Sequence, residues 1–214
     1  MRLLAVSAAL LLSACASFPT TEKQVAASEP QAPQLDIQSW QTDQGAKVMF
    51  VQSDALPMLD VRLVMAAGSS QDHDLPGVAS LTSALIGQGA EALSVDDIAR
   101  GFEDRGASFS SSSYRDMGIT SLRTLSAAEY RQPVVALFNQ VIGSPSFPEE
   151  ALDRLRTRAM QGLRMEQQVP GPQVSKAFMS TVFADHPYGQ PSEGTMESLP
   201  KIQRQQLVDF YNTY

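Results

Sequence analysis

The chain has 214 residues, with 16 Lys and Arg against 23 Asp and Glu and a formal net charge of −7. Its 43% hydrophobic content suffices for the core of one ordinary domain, and the absence of any basic cluster excludes nucleic acid as a partner. The single cysteine, Cys15, excludes an internal disulfide, so packing must carry the stability.

Arg2 precedes an apolar run from Leu3 to Leu12, which Leu12-Ser13-Ala14-Cys15 closes. The run is shorter than the roughly 20 residues a spanning helix needs. It reads as a secretory signal peptide over residues 1–14. The closing string resembles a bacterial lipobox, in which the thiol of Cys15 is acylated and becomes the new N-terminus. Ala16 follows, where an aspartate would resemble an inner-membrane retention signal. The expected location is therefore the periplasmic face of the outer membrane of a Gram-negative bacterium, lipid-anchored through Cys15. Acyl chains contribute about 0.8 kcal/mol per buried methylene, enough in pairs or threes for stable anchoring. Residues 15–44 read as a flexible tether: Ala16 to Gln34 is rich in Ser, Thr, Ala, Pro and Gln, and Pro19, Pro30 and Pro33 break any helix.

The domain, residues 45–214, begins with strands. Ala46 to Gln52 follows a turn at Asp43-Gln44-Gly45, and Leu59 to Ala66 alternates apolar and polar positions. Pro76 opens a helix that Gly87 and Gly89 end. Ser94 caps a second helix, with Asp96 and Asp97 favouring its dipole, and Gly106 stops it. Strands at Ala107–Tyr114 and Met117–Leu125 turn near Arg115-Asp116. Ser126 caps a helix that ends before Gly143. A long helix follows from Glu149 to about Gln168 and is broken by Pro170-Gly171-Pro172. Helices at Val174–Phe183 and Ile202–Tyr214 flank a loop at His186–Pro191. Paired strands alternating with runs of helices predict an α+β two-layer sandwich, a largely antiparallel sheet with helices on one face.

This order and several strings resemble the insulinase/pitrilysin family of zinc metallopeptidases, the inverted H-x-x-E-H class. The strings are Ala66-Ala67-Gly68-Ser69 with Leu75-Pro76-Gly77-Val78-Ala79, the pair Gly106-Ala107 with Asp116, His186-Pro187-Tyr188-Gly189 with Gly194-Thr195 and Glu197-Ser198-Leu199, and Phe210-Tyr211-Asn212-Thr213-Tyr214. The resemblance covers roughly Gln44 to Tyr214. Family members continue with a further strand and a second, similar domain, so the domain is expected to be incomplete at its C-terminus. A bare edge strand would then make this 214-residue form less stable than its longer relatives, or dependent on a partner.

In active members the helix after the glycine carries two histidines at i and i+4 and a glutamate before the second. A further glutamate on a later helix completes the zinc site. The spacing aims both imidazoles at one metal, and the first glutamate acts as general base on its water. Laid onto this sequence, the histidine positions fall on Ser80 and Ala84, the base position on Ser83, and the distal ligand on Gly162. No ligand or base survives at any of them, and hydroxyls and a methyl group do not hold zinc.

Nothing else replaces that chemistry. His73, in Gln71-Asp72-His73-Asp74, reads as part of a solvated polar loop, and His186 as a structural residue before a Pro-Tyr turn. Glu166 lies one helical turn beyond Gly162 but has no histidine partners. There is no G-x-S-x-G elbow, no S-x-x-K and no usable thiol. Ser110, Ser111 and Ser112 read as a small-residue strand that another backbone can approach. The resemblance makes this the candidate peptide-contact strand, since active members bind substrate along that edge.

The resemblance thus implies a non-catalytic family member: a lipoprotein that partners an active zinc peptidase subunit and helps bind or enclose peptide substrate, with the zinc in the partner and the membrane reached through the lipid anchor. Two rival readings are an active zinc metalloendopeptidase with an unrecognised metal site and a stand-alone envelope binding or scaffold lipoprotein.

Overall fold

The computed structural model describes residues 35–214, so the expected signal peptide, Cys15 and most of the expected tether lie outside the described residues. The chain divides into two compact units at Ser53/Asp54.

In the first unit, β1 (Ile37–Gln41) pairs antiparallel with β2 (Lys47–Val51), Ile37 opposite Val51 and Trp40 opposite Val48. The turn is closed by Thr42 and Ala46, whose backbones bond, and by Gly45 at φ +86°. β1 falls inside the stretch expected to be tether: Trp40 and Ile37 give it strand character that its glutamines obscure.

The second unit is built on a three-stranded antiparallel sheet, order β3-β7-β6, from β3 (Met58–Met65), β6 (Ser108–Ser113) and β7 (Gly118–Leu125). The alternation works as read. Leu59, Val61, Leu63 and Met65 turn inward, and Asp60 and Arg62 turn out. On the exposed face Arg123 donates to both oxygens of Asp60 on the neighbouring strand. On the inner face Leu122 and Thr120 are fully buried.

Among the described residues there are six α-helices: α1 (Val78–Leu85), α2 (Val95–Glu103), α3 (Ala128–Gly143), α4 (Glu149–Glu166), α5 (Pro170–Phe183) and α6 (Arg204–Thr213). A two-residue hairpin, β4 (Gly89–Ala90) with β5 (Leu93–Ser94), lies between the first two. Helices α1 and α2 pack on β6, α3 packs on β7, and α4 and α6 pack on α1. The result is the predicted α+β sandwich with its helical layer on the sheet's apolar face. Phe102 stacks on Phe109 at 5.3 Å, and Phe138 meets Phe109 edge-on at 6.0 Å, which ties α2, β6 and α3 together. Leu85, Leu152, Leu199, Ile202 and Leu207 close the core between α1, α4 and α6.

Ser94 caps α2 as expected, in a reciprocal capping box with Asp97. Several boundaries differ from the sequence reading. Helix α1 begins at Val78, one residue after an N-cap at Gly77, so Pro76 stands outside it. Ala127 rather than Ser126 is the N-cap of α3, with no side-chain bond, and Gly143 lies inside that helix. Pro170-Gly171-Pro172 does not separate helices as a loop; it forms the first turn of α5, where missing N–H groups cost nothing. The last helix starts at Arg204, after a 3₁₀ turn at Leu199–Lys201.

Candidate functional site

The site expected from the sequence is the start of α1 and the strand edge beside it. Two contacts anchor the residues before that start. Gly68, just after β3, lies against the β6–β7 turn: Ser69 donates to the Tyr114 carbonyl and Ser70 to that of Arg115, at 2.8 and 2.7 Å. A Cβ on Gly68 would lie 2.3 Å from the Arg115 oxygen. Further on, Ser198 donates to the Pro76 carbonyl at 2.7 Å, anchoring the residues before α1 to the segment before Leu199.

Asp72 is the residue the sequence reading missed. The sequence predicts a solvated loop there, yet Asp72 is only 5% exposed. Its Oδ2 accepts from the Gly77 amide at 2.7 Å and its Oδ1 from the Ala79 amide at 2.8 Å. One carboxylate therefore caps α1 from outside the helix. Burial pushes its pKa up to about 6, against the pull of the Ala79 and Gly77 N–H groups. No N-cap spacing rule reaches donors five and seven residues ahead, so a lone Asp in a polar run gave no signal.

Along α1, Ser80 is half-buried, Ala84 is exposed, and Ser83 is buried at 7% exposure. Ser80 and Ala84 share one face at i, i+4. Ser83 lines a cavity of about 260 Å³ with Thr82, Ser111, Thr120, Tyr211 and Tyr214. Gly162 lies on α4, which packs on α1. It is exposed, and a Cβ there would meet nothing within 4 Å. The position has room for a side chain and carries none.

The residues present do not fit a zinc ion. The positions that the resemblance assigns to the metal, Ser80, Ser83, Ala84 and Gly162, offer two hydroxyls, a methyl group and a bare Cα, with no imidazole, thiolate or carboxylate. Among the described residues no three His, Cys, Asp or Glu side chains converge to hold a metal. Nor does any hydrogen bond among the described residues join the Ser83 hydroxyl to a base that could activate it.

The other residues singled out have structural partners. His73, at φ +48°, places Nε2 3.1 Å from the Tyr214 hydroxyl. Nδ1 of His186 accepts from the Tyr188 amide at 3.2 Å, and its ring lies 4.8 Å from that of Tyr188. Glu166 forms an ion pair with Lys176 of α5. On β6, Ser110 and Ser112 are exposed and Ser111 is half-buried, its Oγ accepting from the Thr120 hydroxyl. Among the described residues β6 is paired only with β7, so its other backbone edge is open.

Fold and site together suit a metallopeptidase-type domain, and helix α1 carries no metal donor at the positions that the resemblance assigns. The sequence matches the family described as Insulinase (Peptidase family M16) over residues 47–196, and the chain belongs to that family. It is similar to a domain from Pseudomonas fluorescens described as a peptidase M16 inactive domain, at 44% identity and TM-score 0.81, covering 82% of this chain and 43% of that one. A Helicobacter pylori protein named non-peptidase homolog YmxG is 25% identical over 162 residues, 75% of this chain and 37% of that protein. The periplasmic protease PqqL of Escherichia coli shares the fold, with TM-score 0.72 at 20% identity, over 85% of this chain and 21% of that one. The matched regions cover less than half of each of these relatives.

Proposed function

We propose that this chain is a non-catalytic M16 subunit that partners an active zinc peptidase of the same family and helps bind or enclose its peptide substrate. The observation that carries the reading is the donor set at the four family positions. Ser80, Ser83, Ala84 and Gly162 can neither hold a metal nor polarise a water. The scaffold around them is ordered: α1 is capped by Asp72, and among the described residues β6 pairs only with β7. An extended peptide added to the other edge of β6 would gain main-chain hydrogen bonds. The hydroxyls of Ser110, Ser111 and Ser112 leave room for its backbone. The similarity to a domain described as inactive supports the same conclusion. The proposed location is the periplasmic face of the outer membrane, with a lipid on Cys15.

The test mixes purified chain with an M16 protein that retains H-x-x-E-H. With zinc added, the chain by itself is expected to leave extended peptides uncut. The mixture is expected to cleave faster than the second protein does unaided. Stoichiometric zinc binding and hydrolysis by this chain unaided would overturn the reading, and so would a mixture no faster than the active protein.

A further inference from the structure

Helix α5 buries no residue, and it faces the segment 189–193 across a groove that Glu166, one turn beyond Gly162, also lines. The groove holds about 420 Å³ and continues into a second hollow of about 220 Å³ that shares Glu166, Pro172, Lys176 and Pro191. Its first part suits a small ligand of several residues better than a single ion.

Four charged groups line it, and two of them neutralise each other: Lys176 pairs with Glu166. The other two are Arg115 and Glu193. Arg115 is half-buried and held from behind. One guanidinium nitrogen, Nη1, donates to the carbonyls of Tyr188 and Gln190 at 2.9 and 3.4 Å, and the group lies 5.6 Å from the Tyr188 ring centroid. Tyr188 is itself fixed, its hydroxyl bonded to Asp116 and its ring edge-on to Phe183 at 5.4 Å. Carbonyls orient Arg115 without cancelling its charge. Among the described residues no carboxylate pairs with it, and its Nε and Nη2 have no partner. Glu193 is its opposite. Oε1 accepts from the Ser192 hydroxyl at 3.2 Å, and no cation among the described residues lies within ion-pairing distance. Met179, Pro172 and Pro191 add apolar surface to the lining.

One fixed cation, one anion and an apolar floor complement a zwitterion with an apolar body. We propose that this groove binds short unblocked peptides, the C-terminal carboxylate on Arg115 and the N-terminal ammonium on Glu193. Such peptides are the product class of proteolysis. The site does not depend on the edge of β6 and stands or falls separately from it.

The experiment titrates the isotope-labelled chain with Leu-Leu, N-acetyl-Leu-Leu and Leu-Leu amide, reading backbone amide shifts. Saturable shifts are expected at residues 175–180 and 189–193, with Leu-Leu tightest. The substitution Glu193→Gln, at an exposed position, is expected to weaken Leu-Leu by about fivefold, the upper range for an exposed charge pair, and to leave N-acetyl-Leu-Leu unchanged. Arg115→Gln is expected to weaken both. Because Arg115 also holds the 188–190 backbone, the Glu193 comparison carries the test. Equal losses for blocked and unblocked peptide would overturn the proposal. So would amide binding equal to acid, or no saturation by about 10 mM, well above the millimolar range where such a site should act. Shifts confined to β6 would overturn the groove and leave the edge-strand reading standing.

Discussion

Gly77 and Gly194 meet backbone to backbone: a Cβ on Gly77 would lie 2.9 Å from the Cα of Gly194. Both sit at positive φ, +100° and +86°. The contact joins two strings that are far apart in sequence, Leu75-Pro76-Gly77 and Gly194-Thr195, and it sets where α1 begins. Replacing Gly77 by Ala forces a left-handed backbone, costing about 1–2 kcal/mol, and a clash with backbone that cannot rotate aside. The expected loss is at least about 2 kcal/mol. It should appear in urea unfolding as a lower midpoint with an unchanged slope.

Asp72 makes stability depend on pH in a direction unusual for a helix-capping carboxylate. Its carboxyl is raised from 3.8 to about 6, first by burial, with the amides of Ala79 and Gly77 opposing. A raised carboxyl binds its proton more tightly folded than unfolded. Its stabilising contribution is therefore full below about pH 4 and falls away as pH climbs through about 6, by at most about 3 kcal/mol. Wild type should lose stability between pH 4 and 6 relative to Asp72→Asn, which has no proton to lose. Parallel stability curves for the two proteins across that window would refute the account.

Much of the second unit was legible because local and global signals agree in it. The alternation of Leu59, Val61, Leu63 and Met65 marks a half-buried strand, and Ser94 with Asp97 marks a helix start; the structure keeps both. The misreadings share a cause. Ile37–Gln41 pairs with a strand beyond a turn, Pro170 begins the next helix ahead of its expected start at Val174, and Asp72 caps amides far ahead of it. Each depends on a partner that local pattern does not reveal. The Arg115–Tyr188 and Asp116–Tyr188 contacts span more than seventy residues and left no local trace.

The capping box at α2 gives a simpler test. Ser94 accepts from the Asp97 amide, and Asp97 accepts from the Ser94 amide and hydroxyl. Ser94→Ala leaves one first-turn donor unpaired and should cost about 1 kcal/mol. Asp97→Ala also removes the exposed ion pair with Arg100. Because both members act in one box, the double variant should cost less than the sum, as thermal unfolding of the four proteins would reveal.

Gly162 tests the proposed loss of a metal ligand apart from any structural need. No packing forces a glycine there: its Cβ direction is empty and it lies within a helix. Gly162→Ala should stabilise the chain by about 1 kcal/mol through helix propensity. The same vacancy allows the family ligand set to be rebuilt. The triple variant Ser80→His, Ala84→His, Gly162→Glu places two imidazoles on one face of α1 and a carboxylate on the helix packed against it. It should bind one zinc with Kd at or below about 1 μM in a chelator competition, while wild type competes for none. Because Ser83 is unchanged, the rebuilt site would hold metal without a general base and should remain slow on peptides. A folded triple variant that fails to bind zinc would show that these three positions do not converge, and would remove the basis for reading the loss of catalysis from them.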